Sequence, residues 1–265
     1  MKRSDMIDRV RAKKQLGQHF LTHQPTARQI VDAFQPIPEA LVLEVGPGMG
    51  VLTGGLLQRF GERLYVVEID RESVDYLSDH YPELVPRIID RDFLQLDLSL
   101  LTGTPISIIG NFPFNISSQI LFHVLDFRHQ VDEVTGMFQR EVARRLVAGP
   151  GSKEYGILSV LMGAFYNSSY LFTVSEDKFR PAPRVKSGVV RFTRKPDIIL
   201  PCSEKSFFRV VKMAFNQRRK TLRNALSAIW IPEMEETGFG GLRAEQLSVE
   251  DFLVLCEIAE IKAKE

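Results

Sequence analysis

An apolar run, Leu41-Val42-Leu43-Glu44-Val45, breaks into three alternate glycines, Gly46, Gly48 and Gly50, and resumes as Val51, Leu52, Leu56 and Leu57 at helical spacing. Such a run before a glycine turn reads as a buried strand, and the spacing after it reads as a helix. A chain that opens this way is committed to a layered α/β architecture, with the ligand site at the strand ends. Glycines at the turn let the backbone approach a ligand with no Cβ between them. The third glycine stands at position 50, off the spacing of a dinucleotide fingerprint, and Glu44 sets a carboxylate where a pyrophosphate would be repelled. A cationic ligand without phosphate suits this turn better.

Two further apolar runs end in residues with the same capability. Residues 64–67 lead into Glu68, eighteen positions after Gly50, where an acid can accept both hydroxyls of a ribose. Residues 106–109 read as a strand that leads through Gly110 into Asn111-Phe112-Pro113-Phe114, with a polar helix start at Ser117 and Ser118. An Asn before a Pro-stiffened turn and an aromatic ring is equipped to hold an exocyclic amine. The amide oxygen and a turn carbonyl accept the two amine protons, while the ring stacks on the base. Between these runs, a helix at 71–81 and a strand at 84–89 lead to Asp92-Phe93, placed to meet an adenine amine and ring. An Asp before an aromatic is also a common turn or cap.

Elsewhere the pattern gives a helix at 25–34, a strand at 134–138, a helix at 140–148 stopped by Gly149-Pro150-Gly151, and strands at 168–174 and 188–193 closing the sheet as an antiparallel pair. Around Pro196 to Pro201 the pattern breaks, which sets the expected boundary between a domain at 1–198 and a helical one at 199–265. Phe207, Val210, Val211 and Ala214, then Leu222, Ala225, Leu226 and Ile229, recur at helical spacing.

Net charge is only +1, so bulk charge identifies no partner. Its distribution is more informative: residues 180–195 and 209–223 each carry six basic residues and no acidic one. Of these, Arg218, Arg219, Lys220 and Arg223 are candidates for phosphate contacts, with a solvated helix face as the bland alternative. Cys202 and Cys256 form no framework, and the five histidines form no ligand pattern, so no metal is expected. No run approaches the roughly 18 apolar residues of a membrane span. The basic stretch 1–14, expected to be a mobile arm, has no apolar signal core behind it, and a reducing cytoplasm is the expected home.

With Gly46, Gly48, Gly50, Glu68, Asp92 and Asn111 in this order, the chain resembles the S-adenosylmethionine-dependent methyltransferases of Rossmann-like fold. It is more closely similar to the KsgA family of small-subunit ribosomal RNA adenine dimethyltransferases. The resemblance rests on Gln18-His19-Phe20-Leu21, on Asn111-Phe112-Pro113-Phe114-Asn115-Ile116-Ser117, on Phe179-Arg180-Pro181-Ala182-Pro183-Arg184-Val185, and on the stretches 215–224 and 243–248. It spans about residues 13 to 255. Two positions depart from the pattern: Phe112 and Phe114 stand where Leu and Tyr are usual, and Phe114 keeps the stacking face without the hydroxyl.

The resemblance implies a class I S-adenosylmethionine methyltransferase domain of Rossmann-like α/β fold, followed by a small all-α C-terminal domain. It implies that His19, Leu21, Glu44, Gly46, Gly48, Glu68, Asp92, Phe93 and Asn111 line the methyl-donor pocket, and that Asn111, Phe112, Pro113 and Phe114 form the catalytic turn. Phe114 and Phe179 would stack on a flipped-out adenine, and the substrate would be two adjacent adenosines in the hairpin near the 3′ end of small-subunit ribosomal RNA. The working context would be a monomer acting on a pre-30S particle late in subunit biogenesis. Two other readings compete: a large-subunit dimethyltransferase of the macrolide-resistance type, and an assembly factor whose binding role outweighs catalysis.

Overall fold

Val10 is buried and Lys13 is bonded to Asp70, so the part of the stretch 1–14 that can be seen is docked and not a free arm. The structure is a computed structural model that describes residues 10–101, 105–196 and 198–264; residues 1–9 of the expected arm lie outside it.

In chain order the first unit contains β1 (Phe20–Leu21), α1 (Gln24–Ala33), β2 (Leu41–Val45), α2 (Thr53–Phe60), β3 (Leu64–Glu68), α3 (Arg71–His80), β4 (Ile88–Asp90), β5 (Ile106–Asn111), α4 (Ser117–Asp126) and β6 (Val131–Gln139). The chain then runs through α5 (Arg140–Leu146), α6 (Ile157–Phe165), β7 (Tyr166–Val174), β8 (Phe179–Arg180) and β9 (Ser187–Arg194). Seven strands form one sheet in the order β4-β3-β2-β5-β6-β9-β7, and β1 and β8 form a separate antiparallel pair. The strands from β4 to β6 are parallel and β9 returns antiparallel on β6. Strand order reverses between β2 and β5, the kind of switch point where α/β sheets bind ligands.

Register fixes what meets at that point. Glu44 is level with Val66 on one side and with Ile109 on the other. Two residues further on, Gly46, Glu68 and Asn111 therefore stand in one row at the strand ends. Because side chains alternate faces, Glu44, Glu68 and Asn111 also share a face.

The expected strand at 84–89 is half replaced. Residues Pro82–Arg87 form a 3-10 turn, and β4 begins only at Ile88. Pro82 and Pro86 hold φ near helical values and lack the N–H that a ladder needs, so the strand starts after the second proline.

The division into units also differs from the single cut expected at 198. Met1–Ala143 and Ser169–Arg194 make one unit, and Arg144–Ser168 joins Lys195–Glu265 in the other. The reason lies in α6, which is almost wholly apolar and buried, and whose Phe165 meets Phe207 on α7 (Glu204–Asn216). Four apolar residues of α7, Phe207, Val210, Val211 and Ala214, are buried as their spacing predicts. The run from Leu222 gives only one turn, α8 (Leu222–Ala225), because Ile231 precedes a proline that starts α9 (Pro232–Glu235) afresh. The last helix, α10 (Val249–Lys264), is capped by Ser248 and Asp251, each accepting the other's backbone N–H at 3.1 and 2.9 Å.

Phe112 shows how the turn after β5 is seated. Its ring is 1% exposed, meets Phe138 edge-on at 5.3 Å, and lies flat over two glycines. A Cβ at Gly110 would come within 2.7 Å of it, and one at Gly136 within 2.2 Å. Gly136→Ala should therefore destabilise the protein by about 1–3 kcal/mol in urea denaturation. Adding Phe112→Leu should recover part of that loss, since the clash is with the ring; strictly additive effects would refute the account.

Candidate active site

The row of strand ends opens on a cavity of about 240 Å³ within the first unit. Gly46 and Gly48 come from the turn after β2, Glu68 and Ile69 from the end of β3, Asp92 and Leu94 from the turn after β4, and residues 111–116 from β5 and its turn. The remaining wall is the segment 15–20. Positive φ at Gly46, Gly48 and Gly50 confirms that the turn needs glycine, and a Cβ on Gly48 would strike the Phe20 ring at 2.8 Å.

Asn111 is the end residue of β5, and its Nδ2 donates to the His19 carbonyl at 2.9 Å. One of the two N–H donors is thereby engaged, which orients the amide and leaves Oδ1 as an acceptor beside the cavity. The Phe112 carbonyl accepts no hydrogen bond from any described residue, while the Pro113 carbonyl closes the turn on Ile116 N at 3.2 Å. Phe114 is half-buried and tilts against the His19 ring, centroids 5.4 Å apart. His19 lies close to the Pro181 carbonyl, Nδ1 to O 2.8 Å; a carbonyl only accepts, so Nδ1 carries the proton.

Glu68 is almost fully buried, yet its carboxylate is well supplied. Oε1 accepts from the backbone N–H of Ile69 and Asp70, both at 2.9 Å, and Oε2 from Gly48 N at 3.1 Å. Burial nevertheless outweighs these bonds and raises its pKa above the ordinary value. The free lone pairs of Oε2 face the cavity wall, and Ile69 beside it is 52% exposed, an unsatisfied apolar surface. Asp92 uses Oδ1 to cap the following 3-10 turn through Leu94 N at 2.9 Å, which leaves Oδ2 for the cavity. The turn reading of Asp92 is met by this cap, and one carboxylate oxygen stays clear of it.

Four expected site residues stand elsewhere. Phe93 is buried and packs edge-on against His123, 5.0 Å away; in the tight turn after Asp92 it points inward, and Leu94 takes the cavity position. Phe179 is fully buried in the core, because the antiparallel pair Leu21↔Phe179 turns both side chains the same way. Its ring cannot stack on a base, and Arg180 takes the exposed side instead. Leu21 and Glu44 line a small adjoining recess with Asn111, not the cavity proper.

Glu44 is buried and accepts from Thr53 Oγ1 at 2.7 Å. Burial, opposed by that bond and assisted by the neighbouring charge of Glu68, pushes its pKa up to about 8. The expected repulsion of a pyrophosphate by this carboxylate is qualified by that shift: at neutral pH the group is largely protonated unless a cation lies beside it. Among the described residues no Lys or Arg lines the cavity, which fits a cationic guest with hydroxyls and an amine and disfavours a phosphate-bearing one.

Sequence reasoning had not assigned Ile69, Leu94 or Asn115 to the wall. Their only signal was adjacency to an assigned residue. Among the described residues no group of three or more His, Cys, Asp or Glu is placed to hold a metal, and no helix is long and apolar enough to cross a membrane.

In the second unit, Arg219 and Lys220 are exposed, whereas Arg218 donates to the Lys153 carbonyl at 2.7 Å and pairs with Glu245 at 3.5 Å. Arg223 is paired with Glu235, which also accepts from the Trp230 indole at 2.6 Å. Two of the four candidate phosphate contacts are therefore engaged inside the unit.

Comparison with known proteins gives a consistent result. Residues 9–260 match the family described as ribosomal RNA adenine dimethylase. The chain is 52% identical over 256 residues to the ribosomal RNA small subunit methyltransferase A of Flavobacterium johnsoniae, covering 96% of this chain and 98% of that one. It is 52% identical over 253 residues to the protein of the same name from Parabacteroides distasonis, with 95% of each covered. Among solved structures, a dimethyladenosine transferase from Plasmodium falciparum superposes with a TM-score of 0.78 at 21% identity, over 93% of this chain and 98% of that one. The 23S rRNA methyltransferase ErmE does so at 0.70 and 24%, over 90% and 98%. At those identities the likeness is one of fold.

Glu44 gives a test of the electrostatics. Its folded pKa lies above the unfolded value of about 4.5, so the stability it lends is present at low pH and is lost as pH rises through the window up to about 8. Glu44→Gln removes that titration. Relative to wild type the variant should gain stability between pH 5.5 and 7.5, at a slope approaching about 1.4 kcal/mol per pH unit, in urea denaturation without ligand. A difference flat in pH would mean that the carboxyl is not held protonated.

Proposed function

The chain belongs to the ribosomal RNA adenine dimethylase family, and on that premise we propose how its cavity carries out S-adenosylmethionine-dependent dimethylation of adenine in small-subunit ribosomal RNA. The observation that carries the proposal is the Asn111 amide. With Nδ2 fixed on the His19 carbonyl, Oδ1 is the polar atom left to meet a substrate amine.

S-adenosylmethionine, when bound, supplies an electrophilic sulfonium methyl. Gly46 and Gly48 give it backbone clearance, Glu68 offers lone pairs to its ribose hydroxyls, Asp92 Oδ2 accepts from its adenine amine, and Ile69 and Leu94 offer apolar contact to its base. Glu44, in the recess behind Asn111, gains from a nearby positive charge, which favours its ionised form.

The target N6 is a poor nucleophile, because its lone pair is delocalised into the adenine ring. Accepting its two protons on Asn111 Oδ1 and the Phe112 carbonyl favours a pyramidal nitrogen with the lone pair aimed at the methyl. The nitrogen would form the new C–N bond as the donor's C–S bond breaks to leave a neutral thioether, and the methylated nitrogen would then lose one proton to water as the product leaves, so orientation is the main requirement. After the first transfer one amine proton remains, and one of the two acceptors must release it. Phe114 offers a stacking face for the base, with His19 beside it; no phenol is present, so no step depends on one.

We read the substrate more narrowly as two adjacent adenosines in the hairpin near the 3′ end of the small-subunit RNA, within a pre-30S particle in the cytoplasm. The support is the small-subunit name of the relatives at 52% identity. That the cavity is built within one unit of one chain supports a monomer as the working form. Arg219 and Lys220 are the better phosphate contacts, since Arg218 and Arg223 already have partners.

Purified protein, S-adenosylmethionine and unmodified small subunits should yield N6,N6-dimethyladenosine by nucleoside mass spectrometry, whereas modification of large subunits alone would overturn the reading. Asn111→Ala should lower kcat by about a hundredfold or more while RNA binding stays close to wild type. Replacing Arg219 and Lys220 together by Ala should reduce the slope of log K against log salt by up to about two. An unchanged slope would remove both from the interface.

A further inference from the structure

Asp70 is 2% exposed, and its carboxylate does more than a helix cap requires. As the cap of α3 it accepts from Glu72 N at 3.2 Å, which needs one oxygen only. Ser73 Oγ adds a long local contact to Oδ2 at 3.5 Å, and the remaining partners come from far away in sequence. Gln18 Nε2 donates to Oδ2 at 3.0 Å, and Lys13 Nζ forms an ion pair with Oδ1. Lys13 Nζ also reaches Glu72 at 3.2 Å, and Lys13 N donates to Gln18 Oε1 at 2.8 Å, so the two ends of the segment 13–18 are tied to each other as well as to Asp70. Burial alone would raise the pKa of Asp70, but the bonds from Gln18 and Lys13 and the charge of Lys13 outweigh it and hold the carboxyl below its ordinary range.

That segment is a wall of the cavity, yet no residue from Arg11 to Phe20 is buried. Between Val10 and Leu21 it has no apolar anchor of its own, and its position is set by polar bonds. On the far side, Gly17 lies against Asn115: a Cβ there would come within 2.3 Å of Asn115 Oδ1, and Asn115 Nδ2 donates to the Gln15 carbonyl at 3.4 Å. The segment therefore bridges the loop that follows Glu68 at the end of β3 and the turn that follows Asn111 at the end of β5. Asp70 links the two sides directly, because its own N–H supports Glu68 Oε1 while its carboxylate holds the segment.

We propose that Asp70, through Lys13 and Gln18, is a positioning residue for the methyl donor: it latches the segment 13–18 as the wall against which the donor is held. This rests on the reading that the cavity holds S-adenosylmethionine. A buried carboxylate with one distant cation and one distant amide is a polar clasp, stable when all partners are present and costly when one is removed. Segments held mainly by polar bonds open at low cost, so the clasp governs how long the wall stays in place.

The test uses full-length protein, titrated calorimetrically with S-adenosylmethionine and assayed on unmodified small subunits. Lys13→Met and Asp70→Asn should each raise Kd and KM for the donor by about tenfold, with kcat within about threefold of wild type and KM for the subunits unchanged. Asn caps a helix as well as Asp, so the melting temperature of Asp70→Asn should fall little. Lys13→Arg should restore donor affinity, and the double variant Lys13→Met with Asp70→Asn should be no weaker than the weaker single one. Unchanged donor affinity in both single variants would overturn the proposal. So would losses in kcat and in subunit KM that follow the melting temperature, since those mark a purely structural role. Wild-type protein that binds no donor would overturn the cavity reading itself, and the latch with it.

Discussion

The parallel register of β2 with its two neighbours is the constraint on which the site depends. With Glu44 level with Val66 and Ile109, the strand ends bring Gly46, Glu68 and Asn111 into one row, although they are separated by 22 and 43 positions in sequence. A slip of one residue in either pairing would turn Glu68 or Asn111 to the opposite face. The buried aliphatic side chains of β2, β3 and β5 oppose such a slip, so sheet packing and site geometry are one requirement.

The electrostatics follow from that row. Carboxylates converge on the strand ends and, among the described residues, no cationic side chain enters the cavity lining. Burial penalises the charges of Glu68 and Glu44, and the fold answers with three backbone N–H groups at the first and a threonine hydroxyl at the second, while Asp92 spends one oxygen on a turn cap. An arrangement of this kind is under-compensated by the protein alone, and a positively charged guest relieves it. Selectivity against phosphate-bearing cofactors comes from the same source.

Much of this was legible in the chain. Apolar runs ending in Glu, Glu and Asn gave the strands, and the spacing of glycines gave the turn and excluded a dinucleotide. What was not legible concerns direction. Phe179 and Phe93 carry the right ring for stacking, but a cross-strand pairing and a tight turn send both into the core. Leu222 to Ile229 had helical spacing without the length to use it, because a downstream proline intervenes. The boundary between units was missed for a related reason: α6 precedes the last strands in sequence yet packs its apolar surface against α7. Asp70 gave no signal, since its importance lies in partners more than fifty positions upstream.

The pairing of β1 with β8 carries a further implication, for the order in which a working molecule can arise on the ribosome. The strand that ends the cavity wall, Phe20 and Leu21, finds its ladder partners in Phe179 and Arg180, almost 160 residues later. A nascent chain therefore exposes its parallel strand ends well before it can enclose anything between them, and long-range closures of this type are slow to form. Competence in this fold arrives with β8, so a translation product that stops short of it holds the parallel strands with no chamber.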